Sequence, residues 1–212
     1  MSLRVGAGLD PEHRAEAARL FWEAFGPKLR LPLGDAARAV AFVERALDPL
    51  HAVSAVEGGR LLGVAGLKTE AGGLLRGRHA DLAMVYGRWG ALWRGAALAL
   101  YDRPVEPGTL LMDGLFVATE ARGRGVGTRL LLAVAERARA EGRREVRLDV
   151  VDGNRARGLY EREGFRAVGR IEAGWLGPLL GFHGATTMRL ALGEAAPPAR
   201  PSRTPAPRGR AA

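Results

Sequence analysis

The chain contains no cysteine in 212 residues, which excludes disulfides, thiolate metal sites and a cysteine nucleophile. Lysine is nearly absent as well, with Lys28 and Lys68 the only two. A P-loop needs lysine and a hydroxyl residue after its last glycine, and here the glycine loop runs Gly127-Thr128-Arg129, so that class is excluded. The opening residues hold no uninterrupted apolar run, and no secretory signal is expected. The most apolar stretch, residues 80–101, is interrupted by Asp81, Arg88 and Arg94 and is a poor membrane span. The expectation is a soluble cytoplasmic protein with no membrane partner.

What the chain has in excess is arginine. The formal net charge of +9 is carried almost entirely by it. In an Ala-, Gly- and Leu-rich composition this reads as a compositional bias, and nucleic acid is not the expected partner. The tail 194–212 sets Arg200, Arg203, Arg208 and Arg210 against Glu194, contributing +3 of the +9, and its Pro/Ala/Arg composition reads as disordered. The four histidines, His13, His51, His79 and His183, show no paired ligand spacing and join no acidic cluster, so no metal site is read. His183 reads as a surface residue.

Local signals order the rest. Residues 2–7 read as a strand. Asp10-Pro11-Glu12 opens a helix that Gly26-Pro27 is expected to end. A second helix runs from Asp35 to Asp48-Pro49, burying Ala39, Val40, Val43 and Leu47. Glu57-Gly58-Gly59 joins two strands as a hairpin. Residues 72–107 are less usual: Leu82, Tyr86, Trp89, Trp93, Ala97 and Leu100 fall on one helical stripe, expected to pack on the domain. A strand over 109–118 carries one acid, Asp113. The glycine loop follows, then a helix to Gly142, a strand over 145–151, a short helix from Asn154 to Gly164, and strands over 165–171 and 185–192.

In the loop, Gly123, Gly125 and Gly127 alternate with Arg122, Arg124 and Val126 just before a helix. Alternate glycines let backbone amides crowd onto an anion, and a helix N-terminus adds free amides and positive potential. The loop therefore reads either as a pyrophosphate cradle or as a tight strand-to-helix turn. A dinucleotide fingerprint needs G-x-G-x-x-G, and the spacing here is G-x-G-x-G.

The run Arg122-Gly123-Arg124-Gly125-Val126-Gly127 resembles the R/Q-x-x-G-x-G/A coenzyme A motif of the GCN5-related N-acetyltransferase (GNAT) superfamily. Leu115-Phe116-Val117 before it resembles the end of that family's central strand, and Asn154 to Phe165 its N-x-x-A/G-x-x-L-Y-x-x-x-G-F helix. The close match covers Leu110 to Gly169. Thr119 stands where the family usually has proline, and Gly158 where it usually has alanine.

The resemblance implies an α/β (α+β) fold. A central mixed, mostly antiparallel sheet with two splayed parallel strands is flanked by helices, over residues 1–193. Residues 72–107 are an inserted helical segment, and its aromatic content and place just before the central strand point to a wall of the acceptor site. It implies acetyl transfer from acetyl-CoA to a primary amine by direct attack in a ternary complex, with a small-molecule or peptide acceptor. The amides of Arg124 to Thr128 are expected to hold the pyrophosphate. The backbone of Leu115, Phe116 and Val117 would pair with the pantetheine arm, the Val117 amide would face the thioester carbonyl, and Asn154 would bond the arm. Tyr160 is implied as general acid, against a purely core role. Asp113, expected on the same strand face as Leu115 and Val117, is either the general base or one half of a salt bridge to arginine. A non-catalytic acyl-CoA sensor with the same fold is the alternative. Acceptor identity and a homodimeric state stay open.

Overall fold

Gly58 and Gly59 take φ values of 59° and 76°. Two successive positive φ angles make the tight turn that joins β2 (Ala52–Glu57) to β3 (Arg60–Thr69) as an antiparallel hairpin. In the computed structural model, which describes residues 2–174, 177 and 181–193, this hairpin is part of one eight-stranded sheet. The other strands are β1 (Arg4–Ala7), β4 (Gly72–Gly73), β5 (Thr109–Val117), β6 (Glu145–Val151), β7 (Arg166–Glu172) and β8 (Gly184–Ala191). Their order is β1-β2-β3-β5-β6-β8-β7, with β4 on the end of β3. The expected tail lies outside the described residues.

Every neighbouring pair is antiparallel except β5 and β6. Those two run parallel and pair only at Thr109↔Glu145, Leu110↔Val146 and Leu111↔Arg147. Beyond Leu111 they part, so the C-terminal half of β5 has a free edge facing a cleft. The splay expected from the resemblance is present.

Among the described residues five α-helices flank the sheet: α1 (Arg14–Leu33), α2 (Ala36–Ala46), α3 (His79–Ala99), α4 (Val126–Ala140) and α5 (Ala156–Arg162). Side chains of β5 alternate between faces. Phe116 meets Phe21 and Phe25 of α1 edge-on at 5.8 and 6.0 Å. Leu115 and Val117 point to the α4 side, where a Cβ on Gly63 would already touch both Val117 and Leu130. The sheet is thus covered by α1 on one face and α4 on the other.

Two expectations are corrected. Gly26-Pro27 does not end α1, which continues to Leu33 with Pro27 and Pro32 inside it. Pro32 has no N–H to offer the carbonyl of Lys28, one turn earlier. The Tyr101 hydroxyl supplies that bond at 2.9 Å, and the Tyr86 hydroxyl donates to the last helical carbonyl, Leu33 O, at 2.7 Å. Two tyrosines from residues 79–101 therefore hold the α1 extension.

The aromatic stripe of α3 is the second. Gly87, at φ 73° and ψ 166°, breaks the helix into two and rotates everything after it. Leu82 stays buried, but Trp89 is 87 % exposed and Trp93 48 %. The second half packs through Ala91 and Leu98 instead. A single helical period drawn across 80–101 fails because one glycine resets it.

Candidate active site

Backbone hydrogen bonding decides what the free edge of β5 offers. Ala118 N–H donates to Leu62 O at 2.9 Å, and in an antiparallel ladder bonded and non-bonded pairs alternate. Phe116 therefore bonds across to Val64, while Leu115 and Val117 form non-bonded pairs with Ala65 and Gly63. The N–H and C=O groups of Leu115 and Val117 point away from β3 into the cleft. Of the three residues expected to pair with a coenzyme arm, two present polar backbone there and Phe116 does not. The Val117 carbonyl is already met by Arg122 Nε at 3.3 Å.

The three loop glycines serve two different needs. Gly123 and Gly125 have φ of 76° and 78° with nothing within 4 Å of a built Cβ, so backbone conformation is their reason. Gly127 has no such φ; a Cβ there would lie 3.0 Å from Leu159 of α5. Its absence lets the start of α4 touch α5. Gly125 is the N-cap of α4 and offers no capping side chain, so the amides of Val126, Gly127 and Thr128 have no partner within the helix. The Arg124 amide instead turns back to Ala121 O at 3.4 Å.

The loop side chains are tied to the protein. Arg124 pairs with Glu57 at 2.6 Å, and Arg129 donates to Leu3 O at 3.3 Å. The Thr128 hydroxyl donates to Glu163 at 2.9 Å, a second tie between α4 and α5. What remains directed at an anion is mainly backbone.

Tyr160 lies on α5, the helix whose Leu159 meets the start of α4. It is 6 % exposed, with its ring 5.9 Å from Phe165. Burial pushes its phenol up to about 12, so it keeps its proton at neutral pH. The Asn154 side-chain oxygen accepts from Ala156 N at 2.9 Å, shaping the turn into α5 and leaving its NH2 group as donor.

Asp113 departs from its expected placement. Gly66 pairs with Gly114 but Leu67 with Met112, so Asp113 is an extra residue in β5, a bulge. The bulge interrupts the alternation with Leu115 and Val117. Asp113 lines a cavity of about 510 Å³ that lies between α1, α3 and the β5–β6 cleft. Gly114 next to it is required: a Cβ there would meet the Phe25 ring at 2.9 Å.

Electrostatics sets Asp113 apart from the other acids on this cavity. Asp149 accepts from the Thr187 hydroxyl at 2.6 Å and pairs with Arg147 at 3.4 Å and Arg103 at 3.7 Å. Asp102 pairs with Lys68. Among the described residues Asp113 joins no ion pair, so the salt-bridge reading has no arginine to stand on. Its surface is open to the cavity while protein surrounds it, and that desolvation raises its carboxyl above the ordinary carboxylate range. Asp102 and Asp149 push the same way, against Lys68 and Arg103.

Other expectations fare variously. His183 is exposed, as read, and its neighbour Phe182 lines the cavity. The histidines are not wholly without acids: Asp10, Glu12 and His13 bring possible ligand atoms within 4.8 Å of one another, though both acids are exposed. Among the described residues no helix is long and apolar enough to cross a membrane. Of the cavity wall, Leu98 and Tyr101 lie in the segment 72–107 expected to border the acceptor, whereas Phe25 has no local signal beyond the repeated phenylalanines of α1.

The architecture matches known proteins. A family profile described as "Acetyltransferase (GNAT) family" matches residues 15–165. No curated protein sequence matches. Many solved structures do. A GCN5-related N-acetyltransferase from Kribbella flavida is similar at TM-score 0.55 and 21 % identity, over 89 % of this chain and 97 % of that one. An N-acetyltransferase from Staphylococcus aureus Mu50 is similar at 0.55 and 17 %, over 91 % and 99 %. A ribosomal-protein-alanine N-acetyltransferase from Brucella melitensis is similar at 0.56 and 16 %, over 90 % and 99 %. At such identities the structures speak for the fold, and the profile, spanning most of the chain, speaks for descent: the protein belongs to the GNAT acetyltransferase family.

Proposed function

We propose that the protein is an N-acetyltransferase that moves the acetyl group of acetyl-CoA to a primary amine by direct attack. The observation that carries this reading is the meeting of two features. A cleft edged by the unpaired backbone of Leu115 and the Val117 N–H opens beside a cavity whose unpaired acid is Asp113.

Acetyl-CoA supplies the activated thioester. The amides of Val126, Gly127 and Thr128, at the positive end of α4, suit its pyrophosphate, with Gly123, Gly125, Arg122 and Arg124 shaping the loop. The Asn154 NH2 group and the polar backbone of Leu115 and Val117 suit an extended arm. The Val117 N–H faces the cleft and acts as a one-donor oxyanion hole, a role typically worth about 2.7–4 kcal/mol.

Asp113 takes the proton from the incoming ammonium. Its raised affinity for a proton improves the match to an amine near neutral pH. Tyr160, kept neutral by burial, donates a proton to the departing sulfur. Residues 72–107 are an addition to the fold whose Leu98 and Tyr101 wall the acceptor cavity, while Trp89 and Trp93 face away.

The test is incubation of the protein with acetyl-CoA and a panel of primary amines, with N-acetylated product identified by mass spectrometry. Product with at least one amine is expected. Tight acetyl-CoA binding with no transfer to any amine would favour a non-catalytic acyl-CoA sensor.

A further inference from the structure

The acetyl-transfer reading leaves the acceptor open, and the cavity narrows it. Resting on that reading, we infer that the acceptor is a small primary amine carrying one apolar body, an arylalkyl or medium-chain alkyl group, rather than a polyamine or aminosugar.

The wall of the cavity is the first ground. Phe21 and Phe25 of α1, Phe42 of α2, Leu82 and Leu98 of α3, and Tyr101 form an apolar stretch of its lining. Phe42 and Leu82 on this lining are exposed by at most 2 %, so this part of the wall is apolar and largely shut off from solvent. Phe25 reaches across to Gly114, one residue from Asp113, so the aromatic wall begins where the amine must sit. A volume of about 510 Å³ is ample for a ring or a six-carbon chain.

Charge is the second ground. A polycation needs several carboxylates free to receive it. The lining acids are Asp102, Asp113 and Asp149, and two of these are neutralised by Lys68, Arg103 and Arg147. Lys28 adds a half-buried ammonium to the lining, its proton affinity lowered by desolvation. One unpaired carboxylate is left for one ammonium. Extra positive charge on the acceptor would be placed against Leu and Phe side chains, where burying an unpaired charge is costly.

The origin of the wall is the third. The cavity exists because α1 runs on past Pro27 and because residues 79–101 fold over it, fastened by the Tyr101 and Tyr86 hydroxyls. The closure selects by apolar fit: each methylene moved from water into such a wall is worth about fourfold in kcat/KM.

The experiment compares ethylamine, butylamine, hexylamine and phenethylamine with spermidine and glucosamine. It measures kcat/KM with acetyl-CoA, and separately equilibrium binding of phenethylamine to the protein without acetyl-CoA. The expected result is a climb of about fourfold per methylene from ethylamine to hexylamine, with spermidine and glucosamine at or below ethylamine. Phe25→Ala is expected to raise KM for phenethylamine at least tenfold more than it raises KM for ethylamine. A chain-length series that is flat, or a spermidine or glucosamine rate above the hexylamine rate, overturns the inference and leaves acetyl transfer standing. Saturable phenethylamine binding without transfer to any amine would instead sink the acetyl-transfer reading while supporting the apolar occupant. No saturable phenethylamine binding overturns the inference outright.

Discussion

The two sides of the candidate site are built from different materials. The donor side, from Leu115 to Thr128 with the start of α5, is backbone: two glycines at positive φ, a third removed from the path of Leu159, a helix start without a capping side chain, and a strand edge left open. The acceptor side is made of side chains from α1, α2, α3, β5 and β6, brought together across most of the chain. A backbone site depends on chain conformation more than on the chemistry of its side chains. A side-chain cavity can be rebuilt one residue at a time, which is how one donor site can serve many acceptors.

Asp113 stands where the two sides meet, and its removal gives the largest expected effect. Asp113→Asn should lower kcat by roughly a hundredfold to ten-thousandfold while the acetyl-CoA dissociation constant stays within twofold or so. The acidic limb of the pH–rate profile, set above the ordinary carboxylate range by desolvation, should disappear with it. The same change should raise Tm near neutral pH. A carboxyl that binds its proton more tightly in the folded state costs stability once pH exceeds both its values. The gain should vanish in acid, below the ordinary carboxylate range, where both states are protonated. A variant as active as wild type across the pH range would take Asp113 out of the chemistry.

Tyr160→Phe keeps the ring against Phe165 and removes only the proton donor. The expected loss is in kcat, at the lower end of the range for general acid catalysis, about a hundredfold. Unchanged turnover would make Tyr160 a core residue and nothing more.

Tyr101→Phe breaks the acceptor side alone. It orphans the Lys28 carbonyl that Pro32 cannot serve, at a cost of about 1–3 kcal/mol, read as a lower Tm. Acetyl-CoA affinity should hold. Gly125→Ala is the converse: a side chain at φ 78° costs about 1–2 kcal/mol and should weaken acetyl-CoA binding, while phenethylamine affinity in its absence is retained. If either variant damaged both ligands equally, the division into a backbone side and a side-chain side would be wrong.

That division also explains what could be read from the sequence. The β5–loop–α4 run and the Asn154–Phe165 helix are local: every residue that matters lies within a dozen positions, and glycine φ preferences and helix starts are local physics. Their elements appear where expected. The acceptor side depends on contacts with no local signature. Nothing near Pro32 announces that Tyr101 will supply its missing bond, so locally Gly26-Pro27 reads as the end of α1. Nothing in the spacing of Tyr86, Trp89 and Trp93 reveals that Gly87 adopts positive φ and turns the tryptophans outward. The Asp113 bulge is likewise a property of two strands, since it arises from how Gly66 and Gly114 meet.

The most direct measurement is release of free thiol from acetyl-CoA with and without a primary amine, on wild type and on Asp113→Asn shown to bind acetyl-CoA normally. A cleft and cavity that form one acetyl-transfer site predict thiol release that depends on the amine and collapses in the variant. Release that ignores the amine, or that survives the loss of Asp113, would contradict the account.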